Sequence, residues 1–277
     1  MRYCEHQPSP RLARYLECIW FLTNDSSTPG TTPERVFPDG CIEWTFHLGQ
    51  RFRLWHAAQW ELQPISFVVG ELTRFLLLQP SGSVATMGVR FRPGGAYRFL
   101  PCPVNVITNK LISTGDIWGG AGEALERQVL TANDDRERIS QIEAFLLERL
   151  AGVEARPRFD LAVKEILWHR GQKRVDDLAA EVGCSARQLE REFLVSAGLS
   201  PKALARIIRF QNLLRLVGEG TLREWTSLAL EVGYADQPHM VREFRQFAGQ
   251  TPTEQQTASG NLASHFISPQ RLSVLLG

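Results

Sequence analysis

LAAEVGCSARQLEREF (178–193) and LALEVGYADQPHMVREF (228–244) set down one frame twice. Both open on Leu-Ala-X-Glu-Val-Gly and close on Arg-Glu-Phe, and nearly everything between differs. Leu178, Ala179 and Val182 share one face of a short helix. Gly183 follows, where a tight turn needs a residue free to take positive φ. Ser185 is placed to cap the next helix by accepting from an exposed backbone N–H. Leu189 and Phe193 then lie on one face of that helix. Two short helices joined by a Gly-containing turn and sharing an apolar face make a helix-turn-helix. The second copy repeats the chemistry with Leu228, Ala229 and Val232, the turn at Gly233, a cap at Asp236, and Met240 with Phe244. Gly198 and Pro201 follow Phe193 at the same distances as Gly249 and Pro252 follow Phe244. Arg174 and Glu224, before the first helix of each copy, are poor caps. Asp176 and Asp177 compensate in the first copy through the helix dipole.

The changed middles carry a different kind of residue. With Leu189 inward, Arg187, Glu190, Arg191 and Leu194 face outward. With Met240 inward, Pro238, Arg242 and Arg245 face outward, flanked by Gln237 and His239. Arg bonds guanine O6 and N7 bidentately, Glu accepts from cytosine N4, and Gln pairs with adenine. A duplicated helical bundle with no nucleic-acid role is the plainer alternative, and the constant core beneath a variable outer face argues against it. Between the copies, SPKALARIIRFQNLLRLVGEG (200–220) places Ala203, Ile207, Phe210 and Leu214 on one stripe, with Gly218 and Gly220 at its end. About 16 residues of helix span about 24 Å. With turns added, that holds two reading helices about 34 Å apart, one turn of DNA. Arg206, Arg209 and Arg215 on this helix are candidate phosphate contacts, with Ser185 and Arg245 at the reading helices.

The 277 residues suggest two domains. No apolar run approaches the ~20 residues of a membrane helix, and MRYCEHQPSP (1–10) has no signal-like pattern. The expected location is a bacterial cytoplasm, with no membrane partner. Five scattered cysteines without a Cys-X-X-Cys pair fit neither a disulfide framework nor a zinc site. Neither a metal nor another cofactor is expected. Net charge is +1, and residues 156–257 hold 15 basic and 13 acidic side chains, a difference of +2. That is a weaker electrostatic footprint than DNA-binding domains usually show.

The first half reads as β-rich, a small barrel or sandwich. In RVFPDGCIEWTFHLG (35–49) a Pro-Asp-Gly turn precedes an alternation of Ile42, Trp44, Phe46 and Leu48 with Cys41, Glu43, Thr45 and His47. That period of two describes a half-buried strand. FVVGEL (67–72) is a further strand, and FLLLQPSGSVATMGVRF (75–91) reads as strand, turn, strand. PGGAYRFL (93–100) is a turn and short helix. Helices follow in WGGAGEALERQVL (118–130) and DDRERISQIEAFLLERL (134–150), the latter with acidic residues at its start and a face suited to internal packing or to dimerisation. AGVEARPR (151–158) reads as the linker, and Phe159, Ala162, Val163, Ile166 and Leu167 form one stripe of a helix stopped near Gly171. The division is a sensor or dimerisation domain over 1–150, a linker over 151–158, a DNA-binding domain over 159–257, and a loosely ordered tail over 258–277.

Residues from about Arg158 to Gln256 resemble the double helix-turn-helix domain of the AraC/XylS family of bacterial transcription regulators. LALEVGYADQPHMVREFRQFAGQTPTEQ (228–255) follows the family signature through Gly-Tyr, Arg-X-Phe, Gly and Thr-Pro, and the first copy matches nearly as well. The resemblance implies promoter double-stranded DNA as partner, and RNA polymerase beside it. It places Arg187, Glu190 and Arg191 at base-facing positions of the first module, and Gln237, Pro238, His239 and Arg242 at those of the second. Pro238 departs from a reader's chemistry, having no group to bond a base. The first module is therefore expected to carry more of the discrimination. RVFPDGCIEW, GVRFRPGGAYRFL and the pair Trp118–Gly119 resemble the uncharacterised sensor region of one branch of these regulators. That implies an α+β chain, a cupin-like barrel with trailing helices before the all-α domain, used to bind an unknown small-molecule effector or to form a homodimer. Arg35, Asp39, Trp44, His47 and Arg90 are the candidate pocket residues. The expected function is a ligand-responsive regulator rather than an enzyme. A constitutive binder whose first half only dimerises is one alternative. A cupin-type metal enzyme fused to a DNA-binding domain is another, disfavoured because His47 and His56 stand apart from any ligand cluster.

Overall fold

The computed structural model describes residues 2–24, 33–152, 154–218 and 224–257. Gly220 and the tail over 258–277 lie outside the described residues. The first half is two antiparallel sheets facing each other. One runs in the order β1 (Arg2–His6), β2 (Leu16–Asn24), β9 (Val84–Phe91), β4 (Glu43–His47), β7 (Ser66–Val69), β10 (Leu111–Ser113). The other runs β3 (Glu34–Val36), β8 (Leu76–Pro80), β5 (Phe52–His56), β6 (Gln59–Leu62). Among the described residues no ladder joins the two sheets, so the cupin-like architecture is a sandwich and not a closed barrel.

The large sheet is buried on both faces, which explains its strands. In β2, Ile19 and Phe21 enter the main core, while Cys18, Trp20 and Leu22 enter a second cluster with Phe52 between the sheets. In β4, Trp44 turns to the helical side. Its indole donates to Thr114 Oγ1 at 2.9 Å and packs on Trp118 and Phe145, with ring centroids 4.6 and 5.5 Å away. Those partners belong to α1 (Thr114–Trp118) and α3 (Asp135–Leu150), with α2 (Gly120–Thr131) between them in sequence. Asp134 caps α3 by accepting from Glu137 N at 2.8 Å. The opposite set on β4, Glu43, Thr45 and His47, faces the space between the sheets. Gly88 on β9 lets the Trp20 indole lie against the backbone, since a Cβ there would come within 2.2 Å of the ring.

The second half is helical: α4 (Pro157–Trp168), α5 (Val175–Glu181), α6 (Ala186–Ala197), α7 (Pro201–Gly218), α8 (Trp225–Val232), α9 (Gln237–Ala248) and α10 (Pro252–Thr257). The repeat is carried into geometry. Gly183 and Gly233 take φ of 69° and 90° in the turns, and Gly198 and Gly249 take 72° and 71° directly after α6 and α9. Pro201 and Pro252 each open the helix that follows, where a missing N–H is harmless.

One hydrophobic cluster runs from Leu12 to Ala248 without a break between the halves. Phe37 meets Phe210 of α7 edge-on at 6.0 Å, and Gln211 Nε2 donates to Pro38 O at 2.6 Å. Tyr97 meets Phe159 of α4 at 5.5 Å. Thr108 Oγ1 donates to Gly198 O at 2.8 Å, and the Phe75 ring lies so close to Gly249 that a Cβ there would come within 2.2 Å. The first half thus touches each of the two equivalent C-terminal glycines.

Candidate DNA-reading face and effector cavity

Helix α6, the first candidate reading helix, opens on a complete capping box. Ser185 Oγ accepts from Gln188 N at 3.2 Å, and Gln188 Oε1 accepts from Ser185 N at 3.0 Å. This satisfies exposed N–H groups from within the chain, so the Ser185 hydroxyl serves the helix. Leu189 and Phe193 are fully buried. Arg187, Glu190 and Arg191 are exposed on the other face, as helical spacing requires. In α9, Asp236 caps by accepting from His239 N at 2.6 Å, and Met240 and Phe244 are fully buried. Pro238 and Arg242 are exposed. Gln237 accepts from Thr226 Oγ1 at 3.0 Å, and the His239 ring stands edge-on to Tyr234 at 5.3 Å. Both side chains are half-buried against α8 and the turn. Arg174 and Glu224 make no side-chain cap, and Asp176 and Asp177 occupy the first turn of α5.

Two of the candidate phosphate contacts are half-buried and bonded within the protein. Glu243 on α9 is 4% exposed and needs positive partners. Arg206 Nε bonds it at 2.6 Å, while Arg206 Nη2 bonds Gln246 at 2.7 Å. Arg209 Nη1 donates to Gly233 O at 2.8 Å, and its guanidinium lies over the Tyr234 ring. These arginines tie α7 to the second module. Arg215 Nη2 bonds Asn212 one turn back at 3.1 Å. Arg245 is exposed. Arg206→Ala is expected to lower stability by about 1–3 kcal/mol, because it removes a charged partner from a buried carboxylate. A Tm unchanged in the variant, with weaker DNA binding, would return Arg206 to the phosphates.

A cavity of about 110 Å³ lies between the two sheets. Asp39, His47 and Arg90 line it, with Glu43, Trp20 and Gln211, which the sequence did not single out. Trp44 points to the helical core instead, because alternation sends it to the opposite face from Glu43. Arg35 also stands outside the lining, its guanidinium stacked on the Phe75 ring at 5.5 Å. The signal for Glu43 was present in the alternating set Cys41, Glu43, Thr45 and His47, all of which line the cavity.

Arg90 is 3% exposed and bonds three carboxylates. Its Nε donates to Glu17 at 3.0 Å, Nη1 to Glu43 and Nη2 to Asp39. The Trp20 indole donates to the other Glu43 oxygen at 2.9 Å. Burial pushes the Glu43 carboxyl up to about 7 against the pull of Arg90. Further along the wall, His47 Nε2 lies 3.0 Å from Gln63 Oε1. Burial lowers the His47 imidazole to about 4 from 6.5, against the hydrogen bond to Gln63. A group with a depressed folded value binds its proton first in the unfolded chain, so its contribution is lost as pH falls from 6.5 towards 4. Denaturant unfolding at pH 7 and pH 4.5 should show wild type losing about 2–3 kcal/mol more than His47→Gln. Equal losses would place the imidazole in water.

Among the described residues no helix is long and apolar enough to cross a membrane, and no group of three or more His, Cys, Asp or Glu is placed to hold a metal ion. Residues 178–258 match a family described as a helix-turn-helix domain (HTH_18), and residues 4–113 match one described as a domain of unknown function (DUF6597). No curated protein sequence matches the chain. Among solved structures the chain is similar to ToxT from Vibrio cholerae in its P21 form, at 12% identity and a TM-score of 0.47, over 87% of this chain and 99% of that one. It is also similar to unsaturated fatty acid bound wild-type ToxT from Vibrio cholerae strain SCE256, at 13% identity and a TM-score of 0.45, over 85% and 94%. The C-terminal region of the chain is an AraC-type helix-turn-helix domain, preceded by an N-terminal domain of unknown function.

Proposed function

We propose that the protein is a sequence-specific transcription regulator that binds promoter DNA through α6 and α9, and whose first half takes a small-molecule effector. The carrying observation is the duplicated, separately capped frame that leaves two different polar faces exposed on one scaffold. Helix α7, at 18 residues, spans about 27 Å between the modules. That suits two successive turns of the major groove once the flanking turns are added. The effector role is supported by Gln211, which lines the cavity while sitting on the helix that joins the modules. Bound matter that moves Gln211 or its bond to Pro38 acts directly on α7. On this proposal the chemistry at the promoter is binding and not catalysis, and RNA polymerase and a second copy of the chain are its protein partners there.

The test is genome-wide mapping of bound sites, followed by affinity measurements on the enriched sequence. A shared motif with two half-sites about one helical turn apart is expected. Binding without an enriched motif would overturn specific regulation.

A further inference from the structure

The cavity between the sheets has a marked chemical asymmetry. One end carries no charged group: Leu22, Phe52, Phe67 and Leu78 wall it beside His47, Gln63 and Thr86. The other end holds the carboxylates of Asp39 and Glu43 and the guanidinium of Arg90. Arg90 already spends three of its five N–H groups on Glu17, Glu43 and Asp39. Glu71 adds a fourth carboxyl near this group. It is 2% exposed, it is coupled electrostatically to Asp39 and Arg90, and its Oε2 has no hydrogen-bond partner among the described residues. Three carboxylates therefore bond one guanidinium, with Glu71 held towards its neutral form by burial, in a place where water is scarce and charge imbalance is expensive.

We infer that the cavity takes a compact hydrophobic cation, an arylalkylamine or short alkylamine, with its ammonium at Asp39 and Glu43 and its apolar body among Leu22, Phe52, Phe67 and Leu78. A carboxylate ligand would meet the like charges of Asp39 and Glu43 at the polar end, with Arg90 already bonded to three carboxylates. Each oxygen of Asp39 and Glu43 already accepts one bond, from Arg90, Trp20 or Cys41, and an ammonium adds a charge-assisted bond at a remaining lone pair. The indole of Trp20 lies beside the same end and offers a further face to a cation. The volume of about 110 Å³ admits a single ring or short chain and not a long acyl tail. The burial that pushes the Glu43 carboxyl up to about 7 is the cost that an arriving cation offsets. This inference names the ligand class for the effector role proposed above.

The experiment is calorimetric titration of the full chain at pH 8 with three near-isosteric probes: 2-phenylethylamine, 2-phenylethanol and phenylacetate. The amine is expected to bind, with the alcohol about tenfold weaker and phenylacetate weaker still. Phenylacetate binding as tightly as the amine overturns the inference, and so does an amine without binding up to about 1 mM. Asp39→Asn should weaken the amine about tenfold or more. Because that variant also removes a partner of Arg90, Leu78→Trp serves as the second, filling the uncharged end and leaving the carboxylates in place. Unchanged amine affinity in a folded Leu78→Trp variant puts the binding elsewhere and overturns the site. DNA affinity measured in the same samples separates the two readings. An amine that binds without altering DNA affinity upholds the cavity's chemistry and removes its effector role. An intact DNA motif with no amine binding removes the ligand class and leaves the regulator.

Discussion

Replacing Phe210 by alanine is expected to cost about 3–5 kcal/mol of stability, the range for truncating a fully buried phenylalanine. The ring sits where three parts of the chain meet. It contacts Phe37 from the first half at 6.0 Å, and Phe244 and Phe247 of the second module at 5.3 and 5.1 Å. Its ring partners Phe37, Phe244 and Phe247 are themselves buried, so truncation leaves a gap in a packed core. Phe210→Leu keeps most of the volume and should cost about 1.5 kcal/mol or less. Urea unfolding followed by both fluorescence and far-ultraviolet circular dichroism checks the pair. Because one core spans both halves, wild type is expected to unfold in a single transition. In Phe210→Ala the two probes should separate as the halves uncouple. A loss under about 1 kcal/mol would mean that the ring is not the keystone its contacts make it.

Arg191→Ala and Arg242→Ala form the second large effect. Both side chains are exposed on helices whose caps and buried faces are fixed, so truncation should leave the fold alone. Each variant is expected to lose about 1–3 kcal/mol of affinity for the operator if its guanidinium reads a guanine bidentately. The two sites lie on separate modules, so their losses should add in the double variant. Fluorescence anisotropy on the enriched sequence and on a scrambled one distinguishes the roles. A base reader loses specific binding and keeps its salt slope. A phosphate contact loses both kinds of binding alike, and the slope falls by about one unit. Unchanged affinity in both variants would sink the proposed reading face. The second module has few readers at hand. Pro238 offers no donor, Gln237 is engaged with Thr226, and His239 leans on Tyr234. The larger share of discrimination is accordingly expected from Arg187, Glu190 and Arg191.

The helical half was readable because its signals are local. Helical spacing separates Leu189 from Arg191, and Gly183 and Gly233 mark turns that take positive φ. What could not be read is what arrives from a distance. Arg206 looks like a solvated charge until Glu243 is placed beside it, and the two are 37 residues apart. Gln211 looks like a polar position on a helix until the sandwich closes over it. In the first half, alternation exposed β4 but misjudged the use of its faces. A strand buried on both sides hides one face among helices, with Trp44, and lines a cavity with the other. The unbroken apolar run of β2 gives no alternation for the same reason. The hairpin of β5 and β6 turns through Ala57 and Ala58, both at positive φ (48° and 65°), where Asn-Gly would have announced it.

The contacts at Gly198 and Gly249 give the first half a second occupation. Thr108 rests on one glycine and Phe75 on its counterpart fifty-one positions later, so the sandwich works as a caliper across the repeat. Helix α7 sets the span between the modules from within, and the sandwich sets it again from outside. On the proposed function, a chain reduced to its two modules is expected to bind half-sites over a wider range of spacings than the whole molecule.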